Sequence, residues 1–160
     1  MKKRTACFTS LTALGILAVD QISKYLIRSC LPVSSTYMIG ASKIGLIHVS
    51  NPGIAFGVSM PLALVALLSL LLIIGLAWLL ASRLTKMQPP TAYGLAACIG
   101  GAAGNLIDRI SQGQVTDFIA IGIWPVFNLA DIAIVIGTLV SAAGILSGRE
   151  WRDGEADRDG

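Results

Sequence analysis

The sequence predicts an all-α membrane protein with four transmembrane helices. Three observations carry this. Hydrophobic residues make up 54% of the 160 positions, and the mean hydropathy is +0.75, well above a soluble domain of this length. Four apolar segments are each about as long as a bilayer-crossing helix of roughly 20 residues. The acidic residues are almost absent from them: five of nine crowd into the last eleven positions, leaving only Asp20, Asp108, Asp117 and Asp131.

The first element opens on MKKR and continues through an apolar run to about residue 27. It imitates a secretory signal peptide. No small-x-small cleavage pattern precedes Asp20, and three more apolar segments follow, so it is read as a retained helix over residues 5–27. Residues 61–81 carry no charge and would rise roughly 31 Å, the clearest span. The third span is expected over about 91–107 and the fourth over 129–146. Between the first two, residues 31–60 mix β-branched residues with Gly and Ser, the composition of short strands and turns on the membrane surface. Residues 148–160 form a polar, Gly-containing tail expected to be disordered and cytoplasmic.

Basic residues set the orientation. Lys2, Lys3 and Arg4, then Arg83 and Lys86, then Arg149 and Arg152 outnumber Lys24, Arg28, Lys43 and Arg109 on the other side. Both termini are therefore expected in the cytoplasm. All four aspartates outside the tail then fall on the extracytoplasmic face.

Composition excludes several functions. The net charge of +3 comes from twelve Lys and Arg that flank apolar segments and form no stripe to follow phosphates, so nucleic acid is not an expected partner. Cys7, Cys30 and Cys98 share no short spacing and His48 lies apart from them, which suggests neither a metal site nor a disulfide framework. Cys7 and Cys98 read as small apolar fillers, and no cofactor is implied. His48 and Ser50 alternate onto one strand face, but no nucleophile elbow accompanies them.

The remaining polar residues each have a structural reading. Asp20 and Lys24, one helical turn apart, suit an ordinary ion pair that could also brace a neighbouring loop. Ala96, Gly100, Gly104 and Ala97, Gly101, Asn105 recur every four residues and make close-packing surfaces. Asn105 and Arg109 continue the Gly101 face, where polar groups in a bundle are costly unless they bind something. Asn128 can cap the fourth helix with Asp131 as its partner. Asp117 starts no obvious helix. Two carboxylates brought together in a partly dry site share a proton, one activating water and the other donating to a carbonyl oxygen. Asp117 and Asp131 would have to meet across a gap of fourteen residues, which the loop with Gly122 and Pro125 could permit.

At these residues the chain resembles the lipoprotein signal peptidase family, also called signal peptidase II. DQISK (residues 20–24), GGAAGNLIDR (100–109), VTDFI (115–119) and FNLAD (127–131) match its motifs in order. The resemblance implies an aspartic endopeptidase whose dyad is Asp117 and Asp131. It implies that Asn105, Arg109, Asn128, Asn51, Asp20, Lys24, Gly101 and Asp108 support the dyad or contact substrate. It implies four membrane helices with an extracytoplasmic β-rich cradle and a short interfacial helix between the last two spans. The expected substrate is a bacterial prolipoprotein cut just before a diacylglyceryl-modified cysteine. The protein is expected as a monomer in the bacterial cytoplasmic (inner) membrane, with membrane lipid as its other partner. NPGIAFG carries Ile54 where the family usually has a small residue. A small transporter or channel is the alternative, and a membrane scaffold a third, but the polar groups gather on one side and no repeat appears.

Overall fold

The computed structural model describes residues 2–38, 43–52 and 60–147. In chain order these form α1 (Lys2–Cys30), β1 (Thr36–Met38), β2 (Ile44–Asn51), α2 (Leu62–Arg83), α3 (Pro89–Gln112), β3 (Val115–Ile121) and α4 (Leu129–Leu146). The anticipated tail, residues 148–160, and the loop holding Ile54 lie outside the described residues, as do residues 39–42 of the cradle region.

Within α1 the stretch Arg4–Cys30, together with α2 and α4, is long and apolar enough to cross a membrane. Their leucines and isoleucines face outward: Leu67, Leu71 and Ile74 of α2 and Val135, Ile136 and Leu139 of α4 are all exposed. An apolar skin of this extent is tenable where hydrocarbon is the solvent. α3 differs. It has 24 residues, of which thirteen are buried, whereas α2 buries only Val65. α3 therefore stands at the centre, packed against α1, α2 and α4.

Small residues make that centre possible. A side chain added at Gly100 would strike the Ala13 carbonyl of α1, and one at Gly101 would come within 2.5 Å of the Ala130 carbonyl of α4. The two stripes seen in the sequence thus serve two different neighbours. Cys98 is buried between α3 and α4, as a filler should be, while Cys7 is exposed on the outside of α1.

Local signals set the helix ends. Pro89 and Pro90 start α3, where a missing N–H costs nothing. Gly113 ends it in the left-handed region at φ 73°, donating its N–H to the Arg109 carbonyl at 3.1 Å. Two residues later the chain is already extended as β3.

The sheet has the order β1-β2-β3 and is antiparallel throughout. Asn51 pairs with Val115 and Val49 with Asp117, and a bulge interrupts the register between Leu46 and Val49. The third strand corrects the expected architecture. No helix lies in residues 113–128; they hold β3, a turn at Gly122 (φ 59°), and Phe127 bridged back to Ile119. Val115, Thr116, Ile119 and Ile121 are β-branched and pair with β2, so the segment satisfies its backbone in the sheet. The residues between β3 and Asn128 are taken up by the turn and by the Phe127 bridge.

Candidate active site

Asp117 reaches the site because β3 is held on one side by β2, and Asp131 because it lies in the first turn of α4, three residues after the cap Asn128. Asn128 joins them. Its side-chain oxygen accepts the Asp131 N–H at 3.0 Å, and its own backbone N–H donates to Asp131 Oδ2 at 3.2 Å, a complete capping box. The same side chain donates through Nδ2 to Asp117 Oδ1 at 2.7 Å. Capping and site-building are thus one arrangement.

Each carboxylate has a second amide partner. Asn51 Nδ2 donates to Asp117 Oδ2 at 2.9 Å, across the sheet from β2. Asn105 Nδ2 donates to Asp131 Oδ1 at 2.8 Å from α3. Asn105 Oδ1 in turn accepts from Asn128 Nδ2 at 3.2 Å and from Lys24 Nζ at 2.8 Å. Four elements therefore converge on the pair.

Asp117 is 3% exposed. Burial pushes its carboxyl up to about 6, the Asn51 donor opposes this, the nearby Asp131 charge adds to it, and Asn128 and Lys24 pull it back. Burial prevails because its partners on the ring are mostly neutral amides.

Beneath the amides lies a layer of full charges. Lys24, wholly buried, contacts Asp20 Oδ2 at 2.9 Å, Asp108 Oδ2 at 3.3 Å and the Asn105 oxygen, so its three protons meet three acceptors. Asp20 also accepts the Ala130 N–H at 3.0 Å, bracing the first turn of α4. Gly104 is what admits it: a side chain there would overlap Asp20 Oδ2. The anticipated ion pair exists, and it braces a neighbour as well.

Gly101 lies outside the polar ring and sets how closely α4 approaches α3. Arg109 is half-buried and donates to the Asn105 carbonyl of its own helix at 3.3 Å; Asp131, Asp117 and Asp108 act on it electrostatically. Among the described residues no hydrogen bond joins His48 to Ser50; the His48 ring is buried, with Nδ1 2.7 Å from the Leu31 carbonyl oxygen.

Three participants escaped the sequence reading. Gln21 donates to Asp20, to the Gly104 carbonyl and to Asp108. Arg28 contacts Asp108 and Thr116. Thr116 donates its N–H to Asp108. Arg28 continues the helical face of Asp20 and Lys24, which was the available signal.

An apolar bundle closed at one end by a small sheet, with two carboxylates framed there by amides, defines a membrane-embedded enzyme. A family model described as signal peptidase (SPase) II matches residues 12–147. The lipoprotein signal peptidase of Moorella thermoacetica is 42% identical over 131 residues, covering 81% of this chain and 87% of the relative. That of Brevibacillus brevis is 36% identical over 155 residues, covering 92% and 97%. Two solved bacterial membrane enzymes share the fold: one superposes with a TM-score of 0.80 at 24% identity (88% of each chain), the other with 0.73 at 23% identity (87% of this chain, 92% of the other). The chain belongs to the signal peptidase II family and is a membrane peptidase.

Proposed function

We propose that the protein is an aspartic endopeptidase that removes signal peptides from diacylglyceryl-modified bacterial prolipoproteins, with Asp117 and Asp131 as its catalytic dyad. The observation that carries this reading is the shared frame: Asn128 binds both carboxylates, and Asn51 and Asn105 each take a remaining oxygen. Such a frame fixes two carboxyl groups without neutralising either. With Asp117 drawn up to about 6 beside the Asp131 charge, the pair takes up its one shared proton as pH falls through about 6.

The chemistry follows from that proton. The ionised carboxylate takes a proton from water as its oxygen attacks the scissile carbonyl carbon, while the protonated partner donates to the carbonyl oxygen. The tetrahedral intermediate collapses and the C–N bond breaks: the carboxyl that took the water's proton gives it to the departing nitrogen of the lipid-bearing cysteine, and the other carboxylate recovers its proton from the former carbonyl oxygen. Asn105, Asn128 and Asn51 orient the carboxylates, Arg109 faces substrate, and Asp20, Lys24, Asp108 and Gly101 hold the frame in place.

All four helices cross the bilayer in this reading, α3 included, since its lower apolarity matches its shielded position. Both termini are cytoplasmic, and the dyad lies at the extracytoplasmic face of the inner membrane. There the acyl chains of the substrate stay in lipid while the scissile bond meets water. Each CH₂ of those chains anchors the substrate in the membrane by about 0.8 kcal/mol, which gathers substrate and enzyme at one surface without close reading of the peptide. A monomer and its lipid surroundings suffice.

Cleavage of a diacylglyceryl-modified prolipoprotein by the purified protein in detergent tests the proposal. Asp117→Asn and Asp131→Asn should each lose at least about a thousandfold in kcat while remaining folded. Cleavage at the parent's rate by either folded variant would sink the dyad.

A further inference from the structure

We infer that Arg28 and Thr116 form a positioning lock that holds Asp117 in its reactive place from the opposite side of strand β3. The inference rests on Asp117 belonging to the dyad. Successive side chains of a strand point to opposite faces. Asp117 points to Asn51 and Asn128, and its neighbour Thr116 points the other way, toward α1 and α3.

Thr116 is 4% exposed and is held twice. Arg28 Nη1 donates to its hydroxyl at 3.0 Å, and its backbone N–H donates to Asp108 Oδ2 at 3.0 Å. The Arg28 nitrogen also lies 3.5 Å from Asp108 Oδ1. Asp108 is itself enclosed, with Lys24 and Gln21 as further partners from α1. One residue of β3 is thus fastened to two helices, and the next carries the carboxylate.

The strand needs such a fastening. β3 is the edge of the sheet, paired only with β2 over its first residues, and it joins α4 through the turn at Gly122. Without a hold on the second face, small rotations of the strand would swing Asp117 relative to Asp131, which is anchored in a different element. Misplacement by about 1 Å can cost on the order of a hundredfold in rate.

A simpler role for Arg28 is available. It lies in the last turn of α1, where a cation meets the negative end of the helix, and it brings the charges of Asp20, Lys24 and Asp108 to neutrality. Either role needs a positive charge but no contact with a neutral hydroxyl. Thr116→Val removes the hydroxyl alone and leaves every charge in place, so it separates the roles.

The experiment measures kcat and KM on a diacylglyceryl-modified prolipoprotein for Thr116→Val, Thr116→Ser, Arg28→Met and the Arg28→Met/Thr116→Val pair, with unfolding in detergent followed alongside. Thr116→Val should lower kcat about tenfold at unchanged KM and near-parental stability, and Thr116→Ser, which keeps the hydroxyl, should recover most of the loss. The pair should be no slower than Arg28→Met alone, since both changes break one contact. Parental kcat in Thr116→Val, a loss confined to KM, or losses that multiply in the pair would overturn the lock. Should Arg28→Met fail to fold, the Thr116→Val and Thr116→Ser comparison decides alone. Asp117→Asn run beside them separates the two readings: its full activity would overturn the dyad, whereas a dead Asp117→Asn with a parental Thr116→Val would overturn only the lock.

Discussion

At the scale of single residues, the balance on Asp117 has a measurable consequence. Its carboxyl is pushed up to about 6 by burial and by Asp131, against donors that favour the ionised form. A dyad with both carboxyls ionised has no acid to donate to the carbonyl oxygen, so kcat/KM should fall as pH rises through about 6. Asn51 contributes one of the opposing donors, at 2.9 Å. Removing it disfavours the charged form, so Asn51→Ala should move this basic limb to higher pH in a pH–rate profile. A limb that stayed put or moved down would show that Asn51 does not govern Asp117. Of these residues, Asp117 and Asp131 were conspicuous because so few acids interrupt the apolar chain. Asn51, by contrast, was legible only through the motif resemblance, because an Asn before Pro-Gly looks like any turn. Thr116 carried no signal at all, since a Thr in a strand is ordinary and its partners lie 88 and 8 residues away along the chain.

Among the elements, α3 shows how pattern becomes packing. Its glycines were readable as close-contact surfaces, but which neighbour each surface met was not, because any helix with small residues would fit either stripe. The structure assigns Gly100 and Gly104 to α1 and Gly101 to α4. Gly104 is the tightest case, since a methyl there overlaps the Asp20 carboxylate that receives the Ala130 N–H. Gly104→Ala should therefore destabilise the protein by about 1–3 kcal/mol, seen as earlier thermal unfolding in detergent. Unchanged unfolding would mean that α1 can yield at this point. The helices α2 and α4 were placed within a residue or two by apolar length and by the Asn128 cap. The strand β3 was not foreseen. Its sequence, VTDFIAI, is strand-like locally, yet a strand needs a partner, and that partner, β2, is separated from it by two whole helices.

For the whole molecule, charge placement separates the two ends. α2 starts beside the site end, with Leu62 near Gly113, and runs away to Arg83 at its far end. A substitution there touches none of the dyad's framework. Arg83→Gln in correctly inserted protein should keep turnover within about twofold of the parent. A large loss would contradict a site confined to one end. Membrane residence, three of the helices and the acids worth suspecting were determined by the sequence alone, because apolar length and the rarity of charge are properties of composition and order. The central place of α3, the third strand and the joining of Asp117 to Asp131 through Asn128 were decided only by the tertiary structure. Those depend on which distant segments satisfy one another's hydrogen bonds, and no local pattern records the choice of partner.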